Sequence, residues 1–275
     1  MTRSLLALLF TLLAVPPLSA QAPQPPEPPA APAAPLAAER SRPRAEGADE
    51  ERPAGGLLQP DTDLIDIPTA GVLDYGGYSS RTRFFSNGGV MQWLGFGVFQ
   101  RVNIGASFNV DKLIGSSSPV QLTRPDLQLK LRFFDGDRMI PAFALGFDGQ
   151  GYLYDRSSQR YNQRQRGLYV TGSQEVGLPG LQAHAGMSIS DFNSNAIFGY
   201  MSGSYNIQDK VLVMLEWDNI ANYIDSRINM GFRVYVTQAF HLDFAARGIG
   251  QGGDYPNGVS RGAERVVMFK YSGNF

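Results

Sequence analysis

Between Tyr78 and Phe275 apolar and polar residues alternate with a period of two, in stretches separated by connections of two distinct lengths. A period of two marks a strand with one apolar and one polar face. It is clearest over Val102–Val110, where Val102, Ile104, Ala106, Phe108 and Val110 oppose Asn103, Gly105, Ser107 and Asn109. Over Ser226–Val236, Ile228, Met230, Phe232, Val234 and Val236 oppose Arg227, Asn229, Gly231 and Arg233. Over Leu181–Phe192, Leu181, Ala183, Ala185, Met187 and Ile189 oppose Gln182, His184, Gly186, Ser188 and Ser190. The other expected strands are Tyr78–Ser86, Val90–Phe99, Pro125–Phe134, Ile140–Tyr152, Gly167–Val176, Ala196–Asn206, Lys210–Asn219, Phe240–Arg247 and Glu264–Phe275, twelve in all, with ten or fourteen as alternatives. In Val90–Phe99 both faces are apolar apart from Gln92, so the pattern leaves its inner face open.

The connections sort by parity. Those after the second, fourth, sixth, eighth and tenth strands are tight, whereas Asp111–Arg124, Leu153–Arg166 and Gly248–Ala263, after the third, fifth and eleventh, are long. Membrane barrels keep short turns on one side and long loops on the other. The strand lengths cluster near the roughly 9–11 residues that a tilted strand needs to cross a bilayer. Lipid offers no hydrogen-bond partners, so such a sheet must close, with apolar faces outward and polar faces lining a lumen. The expected fold is all-β: a closed antiparallel up-and-down transmembrane β-barrel of about twelve strands. A soluble lipocalin-like barrel or a sandwich is the alternative.

The N-terminal region has other compositions. Arg3, the apolar run Leu5–Val15 and Ala20-Gln21-Ala22 read as a secretory signal over 1–22, cut after Ala22 or, second, after Ala20. Residues 23–60 are rich in Pro and Ala, with twelve of the eighteen prolines at or before Pro60, which predicts a disordered periplasmic linker. A lead-in segment, 61–77, precedes the barrel of 78–275 and is expected to pack as a short strand or as a lid at the periplasmic mouth. There is no cysteine, which excludes disulfides, thiol chemistry and zinc–cysteine sites. A net charge of −1 gives no electrostatic case for nucleic acid.

The last stretch places Phe275, Gly273, Tyr271, Phe269 and Val267 on one face and ends on an aromatic. It resembles the final strand of bacterial outer-membrane barrels. The resemblance implies closure against the first strand and recognition by the barrel-assembly machinery, with Phe275, Tyr271 and Phe269 as the assembly signal. The run Leu64-Ile65-Asp66-Ile67-Pro68-Thr69-Ala70, followed by the Gly-rich Gly71–Gly77, resembles YjbH-type outer-membrane proteins associated with exopolysaccharide systems, over about ten residues. That resemblance implies service to surface-polysaccharide export and brings no catalytic residues with it.

The polar faces carry charge of both signs. Lumen-lining candidates are Arg81, Arg83, Lys130, Arg132, Asp148, Glu175, His184, Glu216, Asp218, Arg227, Arg233, His241, Asp243 and Arg247. They read either as a mutually paired network filling a narrow barrel or as a pore lining that selects a polar or charged solute. His184 and His241 have no ligand spacing, so no metal is assigned. Ser188 and Ser190 follow His184, but the His-x-Ser-Asn-Gly pattern of outer-membrane phospholipase A is absent, and no catalytic residue is assigned. Gly248–Gly253 matches G-x-G-x-x-G with no helix after it, so it reads as a loop and no cofactor follows. Asp135-Gly136-Asp137 reads as a tight turn.

The functional expectation is a non-enzymatic outer-membrane barrel that passes a polar solute or surface polysaccharide, with outer-membrane lipid and the assembly machinery as partners. The alternatives are an anchoring barrel with a filled lumen, binding a partner through its loops or tether, and a barrel hydrolase. A charge at Phe232 is expected to be costly, and one at Asn229, on the opposite face, mild.

Overall fold

The computed structural model describes residues 60–115, 119–137, 139–190, 196–220, 226–255 and 258–275; the signal and nearly all of the linker expected over 1–60 lie outside them. The strands are β1 (Gly77–Phe85), β2 (Gly89–Phe99), β3 (Val102–Asp111), β4 (Gln121–Leu122), β5 (Asp126–Phe134), β6 (Ala142–Asp148), β7 (Tyr152–Asp155) and β8 (Arg160–Gln163). They continue with β9 (Gly167–Glu175), β10 (Leu181–Ile189), β11 (Phe198–Ile207), β12 (Val211–Asp218), β13 (Arg227–Tyr235), β14 (Phe240–Ile249) and β15 (Glu264–Asn274).

Twelve of these form one ring. Each pairs antiparallel with the next wall strand along the chain, and β1 pairs with β15 from Gly77↔Asn274 to Phe84↔Val267. The amide of Phe275 donates to the carbonyl of Gly76 at 3.0 Å and carries the seam one residue further. The ring has no free edge, which is the condition for a sheet in lipid. The expected wall strands match closely with one exception. Ile140–Tyr152 splits, so that Ala142–Asp148 joins the wall and Tyr152 begins the separate hairpin β7–β8.

Side chains sort as in a membrane barrel. Ile104, Leu129, Phe147, Met201, Leu215, Phe232 and Phe269 lie on the outside, while Asn103, Lys130, Glu216, Arg233, Asp243 and Lys270 are buried inside. The undecided strand β2 turns Met91 and Trp93 inward and Gln92 outward. Gln92 is satisfied there by the hydroxyl of Thr82 and by its own amide, which donates to Ser80 at 2.9 Å. At the short-turn end Asp137 accepts from the amides of Met139 and Ile140, making the tight turn read from the sequence. The Met139 amide, then that of Ile140, hold the Asp137 carboxyl below the usual carboxylate range and outweigh a small opposing effect of burial.

Candidate functional site

The lead-in segment lies inside the barrel. It forms a narrow hairpin in which Leu64 N–H donates to Ile67 O at 3.0 Å and Thr69 N–H to Thr62 O at 3.2 Å, with Ile65 and Asp66 at the tip. Its apolar residues explain the insertion. Leu64, Ile65, Ile67, Val72 and Leu73 are each no more than 2% exposed. Leu64 and Ile65 pack on Leu212 and Met214, which point inward from β12, and on Tyr235 and Ala245. Asp61 meets Arg233 and Tyr235 near the short-turn end of β13, and the chain leaves at the same end, where Gly76 N–H donates to Gly97 O. A Cβ at Gly97 would collide with the carbonyl oxygen of Asp74, so glycine is needed where the hairpin exits. The expectation of a short strand or mouth lid is therefore corrected: the segment enters and leaves through one mouth and fills the lumen between.

The tip is held by a single carboxylate. Glu216 accepts the amides of Ile65 at 2.8 Å, Asp66 at 2.9 Å and Ile67 at 2.9 Å, and the side-chain amide of Asn229 at 2.8 Å. Three buried backbone donors of a turn that has no ladder of its own are satisfied this way. The three acids of the hairpin each meet a basic wall residue. Asp61 pairs with Arg233, Asp63 with Arg81, and Asp66 with Arg83 at 2.8 Å and Arg247 at 2.7 Å. Burial alone would raise the Asp63 carboxyl, but Arg81, Lys270, Lys130 and Arg233 outweigh it and hold it well below the usual carboxylate range. Asp66 is held low in the same way, burial being outweighed by Arg247, Arg83 and Arg227. Lys130 donates to the carbonyls of Thr62, Thr69 and Gly71, and Thr171 to that of Pro68 at 3.0 Å.

A second stopper descends from the long-loop end. In β7–β8 the Tyr152 ring lies under the Arg247 guanidinium at 4.0 Å, and the Tyr161 hydroxyl donates to Asp126. Gln163 accepts from Arg247 at 3.1 Å, and just beyond it Arg166 donates to Asp218 at 3.0 Å and to the Asp66 carbonyl at 3.2 Å. The two stoppers meet at Asp66. Beside them remains a cavity of about 480 Å³, lined by the hairpin, by Trp93, Asn103, Lys130 and Asp148 of the wall, and by residues 160–166 of the outer stopper.

The other expected lumen residues fall as follows. Asp218 binds Arg166 and Arg227, Arg233 binds Asp243 at 2.8 Å, and Asp148 accepts from Gln128 and Gln150. Arg132 is half-buried at the short-turn end with Asp135, and Glu175, expected in the lumen, is exposed at that rim because β9 ends there. His184 contacts the hydroxyls of Ser173 and Ser204, not Ser188 or Ser190. His241 is fully buried against Tyr235, with neither ring nitrogen hydrogen-bonded among the described residues. Gly248, Gly250 and Gly253 have positive φ around a loop, with no helix following among the described residues. Asn229 is fully buried between Asp66 and Glu216, which overturns the expectation that a charge there is mild. The sequence signal for Asp61, Asp63 and Asp66 was the run of apolar residues around them, which has no place in a solvated lid.

No protein-family model matches the sequence, and no curated protein matches it. Among solved structures the chain is similar to the KdgM porin at 8% identity, over 71% of this chain and 98% of that one, with a TM-score of 0.45. It is similar to the NanC porin at 11% identity, over 72% and 99%, with a TM-score of 0.43. The Acinetobacter baumannii outer membrane protein Omp33 gives 8%, 74%, 99% and 0.41. At these scores the likeness adds nothing to the twelve-strand ring, which rests on its own strand pairing.

Proposed function

We propose that this chain is an outer-membrane barrel that passes a polar solute, and that residues 61–74 close its lumen in the state described. The observation that carries the reading is the hairpin itself: it lies in a lumen lined with polar groups, and both its ends are at one mouth. A stopper of this kind leaves without threading through the wall. Planar-bilayer recording tests it. Protein lacking both 61–70 and the outer stopper 152–163 should conduct in discrete steps, and the full chain should conduct less or only intermittently. A folded deletion variant that stays silent would refute passage.

One observation favours the anchoring reading instead: the carboxylates of Asp61, Asp63 and Asp66 are all paired, and Leu64, Ile65, Ile67, Val72 and Leu73 are all buried, as in a permanent core. Under that reading neither protein conducts. Service to surface-polysaccharide export rests on the lead-in resemblance alone. A cleaved signal over 1–22 and a periplasmic tether over 23–60 agree with both hairpin ends lying on the short-turn side. For assembly, Phe275 and the outward Phe269 and Tyr271 form the terminal aromatic set. Deleting Phe275 should lower the yield of heat-modifiable barrel on denaturing gels without changing conductance per folded molecule. Unchanged yield would make the terminal aromatic incidental.

A further inference from the structure

Lys270, Arg81 and Trp93 form a continuous row across β15, β1 and β2, paired Lys270↔Arg81 and Arg81↔Trp93, and all three line the cavity. Two like charges directly opposite each other are unfavourable on a sheet face. Here both are buried, Lys270 at 2% exposure and Arg81 at 9%. Arg81 is relieved by Asp63 and stacks on Trp93 at 4.0 Å. Its two flanking neighbours have no bonded partner, although Lys270 lies in the field of Asp63. The Lys270 ammonium has no hydrogen-bond or ion-pair partner among the described residues, and the Trp93 indole N–H is buried without an acceptor. Buried donors are normally satisfied, so the Trp93 N–H calls for an acceptor, and Lys270 lines the same cavity with an ammonium that no residue bonds among those described. Lys130, from β5, lines the same cavity.

The balance of charge points the same way. Along the cavity lining Arg and Lys outnumber Asp nine to four. Asp63, Asp66 and Asp218 are already taken by Arg81, Arg83, Arg166 and Arg227. The volume of about 480 Å³ lies within the roughly 300–1,000 Å³ of small-molecule sites. The hairpin shows which anion the wall fits, since Arg81 and Arg83 both hold carboxylates.

We propose that this cavity binds a small carboxylate-bearing solute, its carboxylate taken by the Lys270 ammonium and the Trp93 indole N–H on either side of Arg81, with Lys130 adding charge. The proposal rests on the channel reading for access through the long-loop end and names the class of solute at that site. Binding needs no passage, so the two fail separately.

The chain has two tryptophans, and Trp217 faces outward, so Trp217→Phe leaves Trp93 as the reporter. The folded full-length variant is titrated in detergent with glucuronate, glucose and inorganic phosphate. Glucuronate should give a saturable change in Trp93 fluorescence and glucose none, and Lys270→Gln should weaken the response about tenfold or more, as loss of a charge-assisted partner does. Phosphate should bind more weakly than glucuronate. Equal responses to glucose and glucuronate, no saturable response, tighter binding of phosphate, or a response untouched by Lys270→Gln would each overturn the proposal. If Lys270→Gln does not fold, the glucuronate–glucose contrast in the parent decides. Conduction without binding overturns the site and keeps the channel, and binding without conduction does the reverse.

Discussion

The arc β12–β14 and the arc β15–β1–β2 line the same lumen and differ in how most of their buried polar groups are met, with His241 on β14 and Arg83 on β1 as the exceptions. On β12–β14, Glu216 takes four donors, Arg233 meets two carboxylates and Asn229 is bonded on both sides. On β15–β1–β2, two cations stand side by side, and the flanking ammonium and indole N–H have no partner among the described residues. A satisfied arc holds the hairpin in place. An unsatisfied one has chemistry left to use, since a buried donor without an acceptor costs about 1–3 kcal/mol unless something binds it.

Substitutions that treat the arcs alike break the comparison if they give like results. The largest effect is expected at Glu216. Glu216→Ala orphans three backbone amides and should cost about 3–5 kcal/mol in unfolding free energy, whereas Gln128→Ala, on the cavity side, should stay within about 0.5 kcal/mol. Equal losses in thermal or urea unfolding would mean that the hairpin is not specially held. Next come the two faces of β13. Phe232→Arg should cost about 2–4 kcal/mol for a charge in lipid. Asn229→Arg should now cost a similar amount, because its side chain meets the hairpin rather than water; full folding of Asn229→Arg would empty the lumen of its stopper.

Smaller still is Lys270→Gln. It removes a like-charge neighbour and should leave stability unchanged or raise it by up to about 1 kcal/mol. A clear loss would show that Lys270 has a structural partner after all. The smallest effect is that of mild acid. Asp63 and Asp66 are held low by surrounding cations, so their contribution is present at neutral pH and is lost only as pH falls through the lowered folded values. The carboxylates of Asp63 and Asp66 should therefore stay ionised between about pH 7 and pH 5, as read by their infrared bands; protonation of either within that window would contradict the pairing.

The barrel was legible because a period of two and loop parity are both properties of local sequence. The hairpin was not, because its partners are far along the chain: Ile65 and Glu216 are separated by 151 positions. Its trace was present as two oddities. Val211–Asp218 carries Leu212 and Met214 on a face that should be polar, and Leu64, Ile65 and Ile67 lie in a segment read as a short strand or a lid. Each is the other's explanation. Among the expected lumen residues, charge was readable but pairing was not, since three of the carboxylates that answer the arginines are on the hairpin. Trp93 was hidden for another reason: β2 is apolar on both faces, so alternation could not choose its inner side.

The single-mouth hairpin also has a mechanical consequence. Asp61, Asp63 and Asp66 run in order from the short-turn end to the tip, each on its own arginine. Tension applied to the chain before Asp61 along the barrel axis runs parallel to this row, so it shears the three contacts together rather than peeling them one at a time. Extraction of the hairpin therefore meets the joint resistance of all three grips, the cluster around Asp66 included.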